Sequence, residues 1–267
     1  MITKPIPSTG ELLPVIGLGT WKAFDVSNPA PVRPIIDQLA KIGGAMIDSS
    51  PMYGRSESVI GELIAGKRDR FFVATKVWTT GRAKGVREME DSMQKMRARP
   101  IDLMQVHNLV DVDTHLSTLA EWKSAGTVRY IGVTHYTASA HADVAKVLER
   151  HSVDFLQINY SVSEREAESR LLPLAKDKGI AVIANRPLAT GDLPARLRSR
   201  ALPGWATDIG AASWSELLLK FVVSHPAITV AIPATSNVDH LRQNLRAGED
   251  PISDEAMRRR IVAAAMA

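Results

Sequence analysis

The feature that most constrains the fold is a regular succession of short apolar segments. Each segment is too brief for a helix and is bounded by polar residues or glycine. The eight segments begin at Val15, Ala45, Phe71, Ile101, Val128, Phe155, Ala181 and Thr229. Their first residues are 30, 26, 30, 27, 27, 26 and 48 positions apart, and amphipathic helical patterns occupy nearly every interval. Strands that alternate with helices predict a parallel sheet.

Eight strand–helix units in 267 residues match an α/β fold, the closed (β/α)8 TIM barrel, formed by a single domain over residues 1–267. An open doubly wound sheet usually has fewer strands and carries a G-x-G-x-x-G fingerprint. Residues 17–20, GLGT, begin that pattern without completing it. The closed barrel is therefore the predicted fold.

Three further segments lie outside the regular repeat. Residues 4–7 and 12–14 flank a turn-forming stretch, which predicts an N-terminal β-hairpin that plugs one end of the barrel. Residues 254–264 predict a C-terminal extra helix. The longest interval contains residues 191–210, with two prolines and Trp205, and predicts a long mobile loop.

Composition excludes several classes of chemistry and partner. The chain has no cysteine, so disulfide frameworks, thiolate zinc sites and cysteine nucleophiles are excluded. The formal charge of +4 is spread along the chain, which favours an anionic small molecule over nucleic acid. Neither a membrane span nor a signal peptide is visible, so no membrane partner is expected and the cytoplasm is the expected location. The oligomeric state stays open.

Polar residues follow the apolar segments at the points where the strands end. The active site of such a barrel lies at the C-terminal ends of its strands, so these residues are candidates for chemistry. In strand order they are Thr20, Asp48, Lys76, His107, Thr134, His135, Gln157, Asn159, Asn185, Arg186, Thr235 and Ser236. A charge in such a position is costly to bury unless it is paired.

Consecutive strands deliver an acid, a cation and an imidazole, and a tyrosine follows the acid by five residues. Asp48 and Lys76 are expected to pair, with the lysine ammonium beside the Tyr53 hydroxyl. Such a cation would lower the phenol pKa from its usual value of about 10 and make the tyrosine a usable acid. A neutral His107 would then donate to a carbonyl oxygen and orient it.

The strongest motif spans residues 48–57, which read D-S-S-P-M-Y-G-R-S-E and are followed by Gly61. It resembles the D-[ST]-A-x-x-Y-G-x-[SE]-E…G signature of the aldo-keto reductases. Four other segments resemble motifs of the same family, namely 17–21 (GLGTW), 75–78 (TKVW), 102–107 (DLMQVH) and 132–136 (GVTHY). The resemblance covers nearly the full chain.

The resemblance implies an NAD(P)H-dependent reductase that converts aldehydes or ketones to alcohols with hydride from nicotinamide C4. Tyr53 would be the general acid, Lys76 and Asp48 its tuning pair, and His107 the group that orients the substrate. The implied cofactor residues are Gly19, Thr20, Trp21, Thr134, His135, Gln157, Arg186, Pro187, Leu188, Ile232, Ala234, Thr235, Ser236, Asn237, His240, Gln243 and Asn244. The implied substrate pocket consists of Trp21, Met52, Trp78 and Asn108, with Trp205 as a further candidate wall, and no metal is implied.

Two departures from the family pattern concern the cofactor. Members that select a 2′-phosphate often carry a lysine and an arginine where this chain has Ala234 and His240. NADP is favoured over NAD because polar residues remain there and because the helix predicted from Val238 would attract an anion. Asn185 replaces the tyrosine that usually stacks on the nicotinamide, so another group must cover that ring.

Other functions fit parts of this pattern. A Schiff-base aldolase would use Lys76 as its nucleophile, and a metal hydrolase would use His107 and His135. A reductase-like barrel that mainly binds a nucleotide and regulates a partner is the remaining alternative. His115 is a lone histidine within a helical pattern, and the sequence predicts no catalytic or binding role for it.

Overall fold

The barrel consists of eight parallel strands that follow one another in chain order. The computed structural model describes residues 1–249 and 253–267. The hairpin strands are β1 (Thr3–Pro5) and β2 (Leu12–Pro14), and the barrel strands are β3 (Leu18–Gly19), β4 (Ala45–Asp48), β5 (Phe71–Val77), β6 (Ile101–His107), β7 (Val128–Thr134), β8 (Phe155–Asn159), β9 (Ala181–Asn185) and β10 (Val230–Ala231). The predicted (β/α)8 architecture is confirmed.

The first and last strands close the barrel through a narrow seam. Isolated bridges join Ile16 to Ala231 and Gly19 to Ala234, and the Gly19 amide donates to the Pro233 carbonyl. A Cβ atom on Gly19 would lie 2.7 Å from the carbonyl oxygen of Ile232, so only glycine permits this approach. Because the seam has bridges in place of a continuous ladder, β3 and β10 begin later than predicted.

The other six strands begin at the predicted residues, and nearly all of their residues are buried. Strands covered on both faces read as continuous apolar runs, which is why the sequence locates them well. The surrounding helices are α1 (Arg33–Ala40), α2 (Ser56–Leu63), α3 (Arg82–Lys95), α4 (Val112–Ser124), α5 (His141–Arg150), α6 (Leu171–Asp177), α7 (Asp192–Leu197), α8 (Trp214–Val223), α9 (Val238–Arg246) and α10 (Glu255–Met266). Within the described residues, none of them is long and apolar enough to cross a membrane.

The N-terminal hairpin closes the lower end of the barrel. Ile6 and Leu13 are buried in one apolar cluster with side chains from the barrel interior, among them Phe72 and Phe155. Lys4 ties the hairpin to the segment between α8 and β10, because its ammonium donates to the carbonyls of Val223, His225 and Ile228 at 2.7, 2.9 and 2.7 Å. The predicted hairpin is confirmed.

The C-terminal helix α10 is also confirmed, and it starts at a side-chain cap. Asp254 Oδ1 accepts a hydrogen bond from the Met257 amide at 2.7 Å. Arg260 of this helix places its guanidinium 4.6 Å from the ring centroid of Trp205. The Trp205 ring therefore packs against α10.

Residues 191–210 were predicted to form a long mobile loop, and the prediction of a loop without helices is wrong. This segment contains α7 and a 3-10 helix, Gly204–Ile209. Leu193 and Leu197 lie one helical turn apart and are both buried in the core. This pair anchors the segment to the barrel.

We expect Gly61→Ala to destabilise the protein by about 1–3 kcal/mol through overpacking. A Cβ atom there would lie 1.9 Å from the Lys95 carbonyl oxygen, where α2 crosses the end of α3. Gly204→Ala is the matched control, because no atom of residues 1–249 or 253–267 lies within 4 Å of its Cβ position. Urea unfolding measures both variants, and equal midpoints for the two would contradict the packing argument.

Candidate active site

The interior of the barrel changes from apolar to polar along each strand. Side chains alternate between the two faces of a strand, so Phe72 and Lys76 share a face, as do Leu103 and His107. Phe72 and Leu103 belong to the lower apolar cluster, whereas Lys76 and His107 each follow them on the same strand, closer to its C-terminal end. Asp48 ends β4 in the same layer. The strand period thus brings the polar side chains together at the open mouth.

Asp48 and Lys76 form a buried ion pair. Lys76 Nζ lies 2.6 Å from Asp48 Oδ2 and donates to the Ser49 carbonyl at 2.6 Å. Burial lowers the pKa of the Lys76 ammonium, but its interactions with Asp48 and Tyr53 outweigh this effect, and the pKa is raised. Lys76 therefore stays charged, which disfavours its use as an aldolase nucleophile.

Two glutamine amides complete the surroundings of the Asp48 carboxylate. Gln105 Nε2 and Gln157 Nε2 donate to Asp48 Oδ1 at 3.1 and 2.9 Å, and Gln157 Oε1 accepts from Thr134 Oγ1 at 3.1 Å. The sequence analysis did not select Gln105. Gln105 lies two residues after Leu103 and two before His107, so the strand period places it on the same inward-facing side of β6. That position is the sequence signal for its role.

Tyr53 reaches this layer from the turn that follows β4. Its amide donates to the Ser50 carbonyl at 3.0 Å, and Gly54 has a φ of +60°, which permits the turn. Lys76 Nζ lies 5.2 Å from the centroid of the phenol ring. Burial raises the pKa of Tyr53 and outweighs the opposing effect of Lys76. The predicted lowering of this pKa is wrong for the free protein, in which the phenol remains protonated at neutral pH.

His107 lies edge-on to Tyr53, with ring centroids 6.1 Å apart. Its Nδ1 forms a hydrogen bond with Ser50 Oγ at 3.1 Å. Burial, followed by the charges of Lys76 and His135, lowers the pKa of His107 to about 3. The imidazole is therefore neutral, as the sequence analysis required.

Unpartnered polar atoms mark the side of the mouth formed by β7 and β9. Asn185 Nδ2 donates to the His135 carbonyl at 3.0 Å, while the buried Asn185 Oδ1 has no partner among the described residues. Arg186 donates through Nη1 to the Tyr136 carbonyl at 3.1 Å, and its buried Nε likewise lacks a partner there. A polar ligand such as a carboxamide would satisfy these atoms, so the site fits the implied nicotinamide.

The segment between β10 and α9 is arranged differently from the expectation. Asn237 Oδ1 caps α9 by accepting from the amides of Asp239 and His240 at 2.8 and 3.2 Å. Thr235 Oγ1 accepts from the Asn237 amide at 3.1 Å, and Ser236 is exposed. The chain itself therefore occupies helix amides that were expected to attract a phosphate.

The remaining implied cofactor residues occupy the same rim or helix α9. They are Gly19, Thr20, Trp21, Pro187, Leu188, Ile232, Ala234, Gln243 and Asn244. Thr20 Oγ1 donates to the Asp48 carbonyl at 3.0 Å and to Ser49 Oγ at 2.9 Å, so its hydroxyl joins the ends of two strands.

Large apolar side chains are exposed at this rim. Trp21, Met52 and Trp78 are 47%, 43% and 43% exposed, and Tyr136, which the sequence analysis did not select, is 49% exposed. Asn108 follows His107 with a φ of +54°, and its buried Oδ1 has no partner among the described residues. The mouth thus offers an apolar wall with few polar groups, as small-molecule sites usually do.

Within residues 1–249 and 253–267, no group of three or more His, Asp or Glu side chains is arranged to hold a metal ion. The chemistry available at the mouth is a buried ion pair, a protonated phenol and a neutral imidazole.

The family model of the Aldo/keto reductase family matches residues 15–261. The chain belongs to this family, whose members are oxidoreductases that act on carbonyl groups. It is 26% identical to methylglyoxal reductase YeaE of Escherichia coli over 253 residues, which cover 91% of this chain and 89% of the relative.

Solved structures share the fold. The holo form of aldo-keto reductase AKR11C1 from Bacillus halodurans superimposes with a TM-score of 0.82 at 20% identity, covering 99% of this chain and 96% of that one. An aldo-keto reductase from Klebsiella pneumoniae in complex with NADPH gives a TM-score of 0.79 at 23% identity, covering 99% of this chain and 95% of that one.

We expect the imidazole resonances of His107 to stay constant between about pH 5 and pH 8, because its pKa of about 3 lies well below the usual value of about 6.5. Histidine NMR spectra, assigned with His107→Gln, measure this. The unfolded chain binds a proton at this residue near pH 6.5 and the folded chain does not, so His107 contributes stability above pH 6.5 that is lost as the pH falls towards 3. A titration midpoint near 6.5 in the folded protein would contradict the assignment.

Proposed function

We propose that the chain reduces an aldehyde or ketone to an alcohol with NADPH, that Tyr53 is the general acid, and that residues 1–267 act as one domain. The supporting observation is the layer in which the Asp48–Lys76 pair, the Tyr53 phenol and the His107 ring meet at one open mouth. Asn185 Oδ1 and Arg186 Nε, which lack partners within the described part of the chain, support a cofactor amide beside this layer.

When bound, NADPH would supply the hydride, from nicotinamide C4, that the carbonyl carbon of the substrate needs. Tyr53 donates its proton to the carbonyl oxygen as negative charge develops there, which yields the alcohol. The Lys76 ammonium stabilises the phenolate that remains, and Asp48 keeps the ammonium in place. His107 donates from Nε2 to the same oxygen when Ser50 Oγ donates to Nδ1, so that the neutral ring orients the substrate.

The cofactor would lie across the mouth, with Thr134, His135 and Gln157 near its amide. Thr235, Ser236 and Asn237 would face its adenosine ribose. The Klebsiella pneumoniae relative is a complex with NADPH, which favours NADPH here. The cap on α9 and the uncharged Ala234 predict only a modest preference over NADH.

We expect the purified protein to oxidise NADPH in the presence of activated aldehydes such as 4-nitrobenzaldehyde or methylglyoxal, and to do so faster than it oxidises NADH. Absorbance at the nicotinamide band measures turnover, and titrations of both nucleotides in one buffer measure affinity. Tighter binding of NAD than of NADP would overturn the choice of cofactor. No oxidation across a broad carbonyl panel, with borohydride trapping substrate on Lys76, would favour the aldolase.

We expect Tyr53→Phe to lower kcat by about 10²- to 10⁴-fold, the usual contribution of general acid catalysis. NADPH affinity should hardly change, because only the phenol hydroxyl is removed. Single-turnover rates and fluorescence titration measure the two quantities. The acid assignment would be wrong if the variant kept wild-type kcat.

A further inference from the structure

The loop between β5 and α3 carries Trp78 into the apolar wall of the mouth. Trp78 is 43% exposed, and its ring centroid lies 6.4 Å from that of His107. The position of this ring beside the substrate therefore depends on how residues 78–81 are held.

Three side chains from outside the loop hold its backbone. Glu88 of α3 accepts a hydrogen bond from the Trp78 amide. His115 Nε2 of α4 donates to the Thr79 carbonyl at 2.7 Å, and Asp111 Oδ2, from the residue before α4, accepts from the Gly81 amide at 2.7 Å. The loop is thus anchored to two separate helices.

His115 is built into its position. The side chain is fully buried, and a Cβ atom on Gly85 would lie 2.3 Å from its Cε1 atom. Only glycine at residue 85 leaves space for the ring. The structure therefore gives a role to a histidine that received none from the sequence.

Asp111 holds an unfavourable backbone conformation at the other end of the loop. Its φ of 47° and ψ of 44° are left-handed, and as the N-cap residue of α4 its side chain accepts no cap hydrogen bond. The Gly81 amide, followed by the Thr114 side chain, lowers the pKa of its carboxyl, so the carboxylate is charged at neutral pH. The side chain thus holds the loop backbone through Gly81, and its contact with α4 is to the Thr114 side chain and not to a backbone amide.

We propose that Glu88, Asp111 and His115 form a clamp that fixes Trp78 and thereby sets the preference of the site for ring-bearing carbonyl substrates. The three are positioning residues, since none lies in the catalytic layer. The inference rests on the proposed reductase function for its kinetic consequence. A ring that lies flat against Trp78 depends on the clamp, whereas a short aliphatic aldehyde does not.

The decisive variant is Asp111→Gly. Glycine adopts the left-handed conformation without strain, so the unfolding temperature should stay the same or rise while the Gly81 contact is lost. We expect KM for 4-nitrobenzaldehyde to rise about two- to tenfold, because the side chain of Trp78 must then be ordered on binding. KM for propanal and kcat for both substrates should change little. Asp111→Asn retains an acceptor oxygen and should restore the wild-type KM.

Arg97→Gly is the matched control. Arg97 is also left-handed, with a φ of 50°, and is exposed at the end of α3. Arg97→Gly should shift the unfolding temperature in the same direction as Asp111→Gly. It should not change the ratio of KM for 4-nitrobenzaldehyde to KM for propanal. An unchanged ratio in Asp111→Gly, or an equal change in Arg97→Gly, overturns the clamp.

A second measurement separates this inference from the proposed function. The protein is labelled with 5-fluorotryptophan, and the Trp78 fluorine signal is assigned with Trp78→Phe. The clamp predicts a shifted or broadened Trp78 signal in Asp111→Gly and a wild-type signal in Arg97→Gly. If the wild type reduces no carbonyl, the proposed function fails, and the fluorine spectra still decide whether the clamp holds Trp78. Identical spectra for Asp111→Gly and the wild type overturn it.

Discussion

The buried pair of Asp48 and Lys76 is the interaction on which the rest of the site depends. Removing two charges from water costs several kcal/mol for each ion, and their attraction offsets this cost only when the remaining donors and acceptors are also satisfied. Gln105 and Gln157 donate hydrogen bonds to Asp48 Oδ1, the carboxylate oxygen that does not contact Lys76. The Ser49 carbonyl accepts a hydrogen bond from the Lys76 ammonium. Loss of any one partner would leave a buried charge that is incompletely paired, so the geometry of the layer is narrowly constrained.

Two features of this layer have opposing effects on the pKa of the Tyr53 phenol. Burial keeps the proton on Tyr53 in the free protein, whereas Lys76 favours its release. The balance suits a proton donor, because the proton stays in place until a substrate oxygen that gains negative charge accepts it. Ser50 forms a hydrogen bond with His107, so the turn that carries the proton donor Tyr53 also holds the orienting ring.

Local patterns in the sequence predicted most of the fold, and the exceptions have physical causes. Six strand starts were correct because strands buried on both faces are continuous apolar runs. The two strands at the seam were misplaced because their pairing depends on residues more than 200 positions away. The direction of the Tyr53 pKa shift was wrong because burial arises from the whole barrel. The strand period places Gln105 inside the barrel, but only the structure shows that Asp48 is its partner.

The seam also determines when the barrel can close during synthesis of the chain. Ile16 must wait for Ala231 to leave the ribosome, and Lys4 must wait for the carbonyls of residues 223–228, which emerge shortly before Ala231. At about 5–20 residues per second, the first strand remains without its second neighbour for roughly 10–40 s. The nascent chain therefore exposes an unpaired strand edge throughout that time. Chaperones can bind this edge until the seam forms.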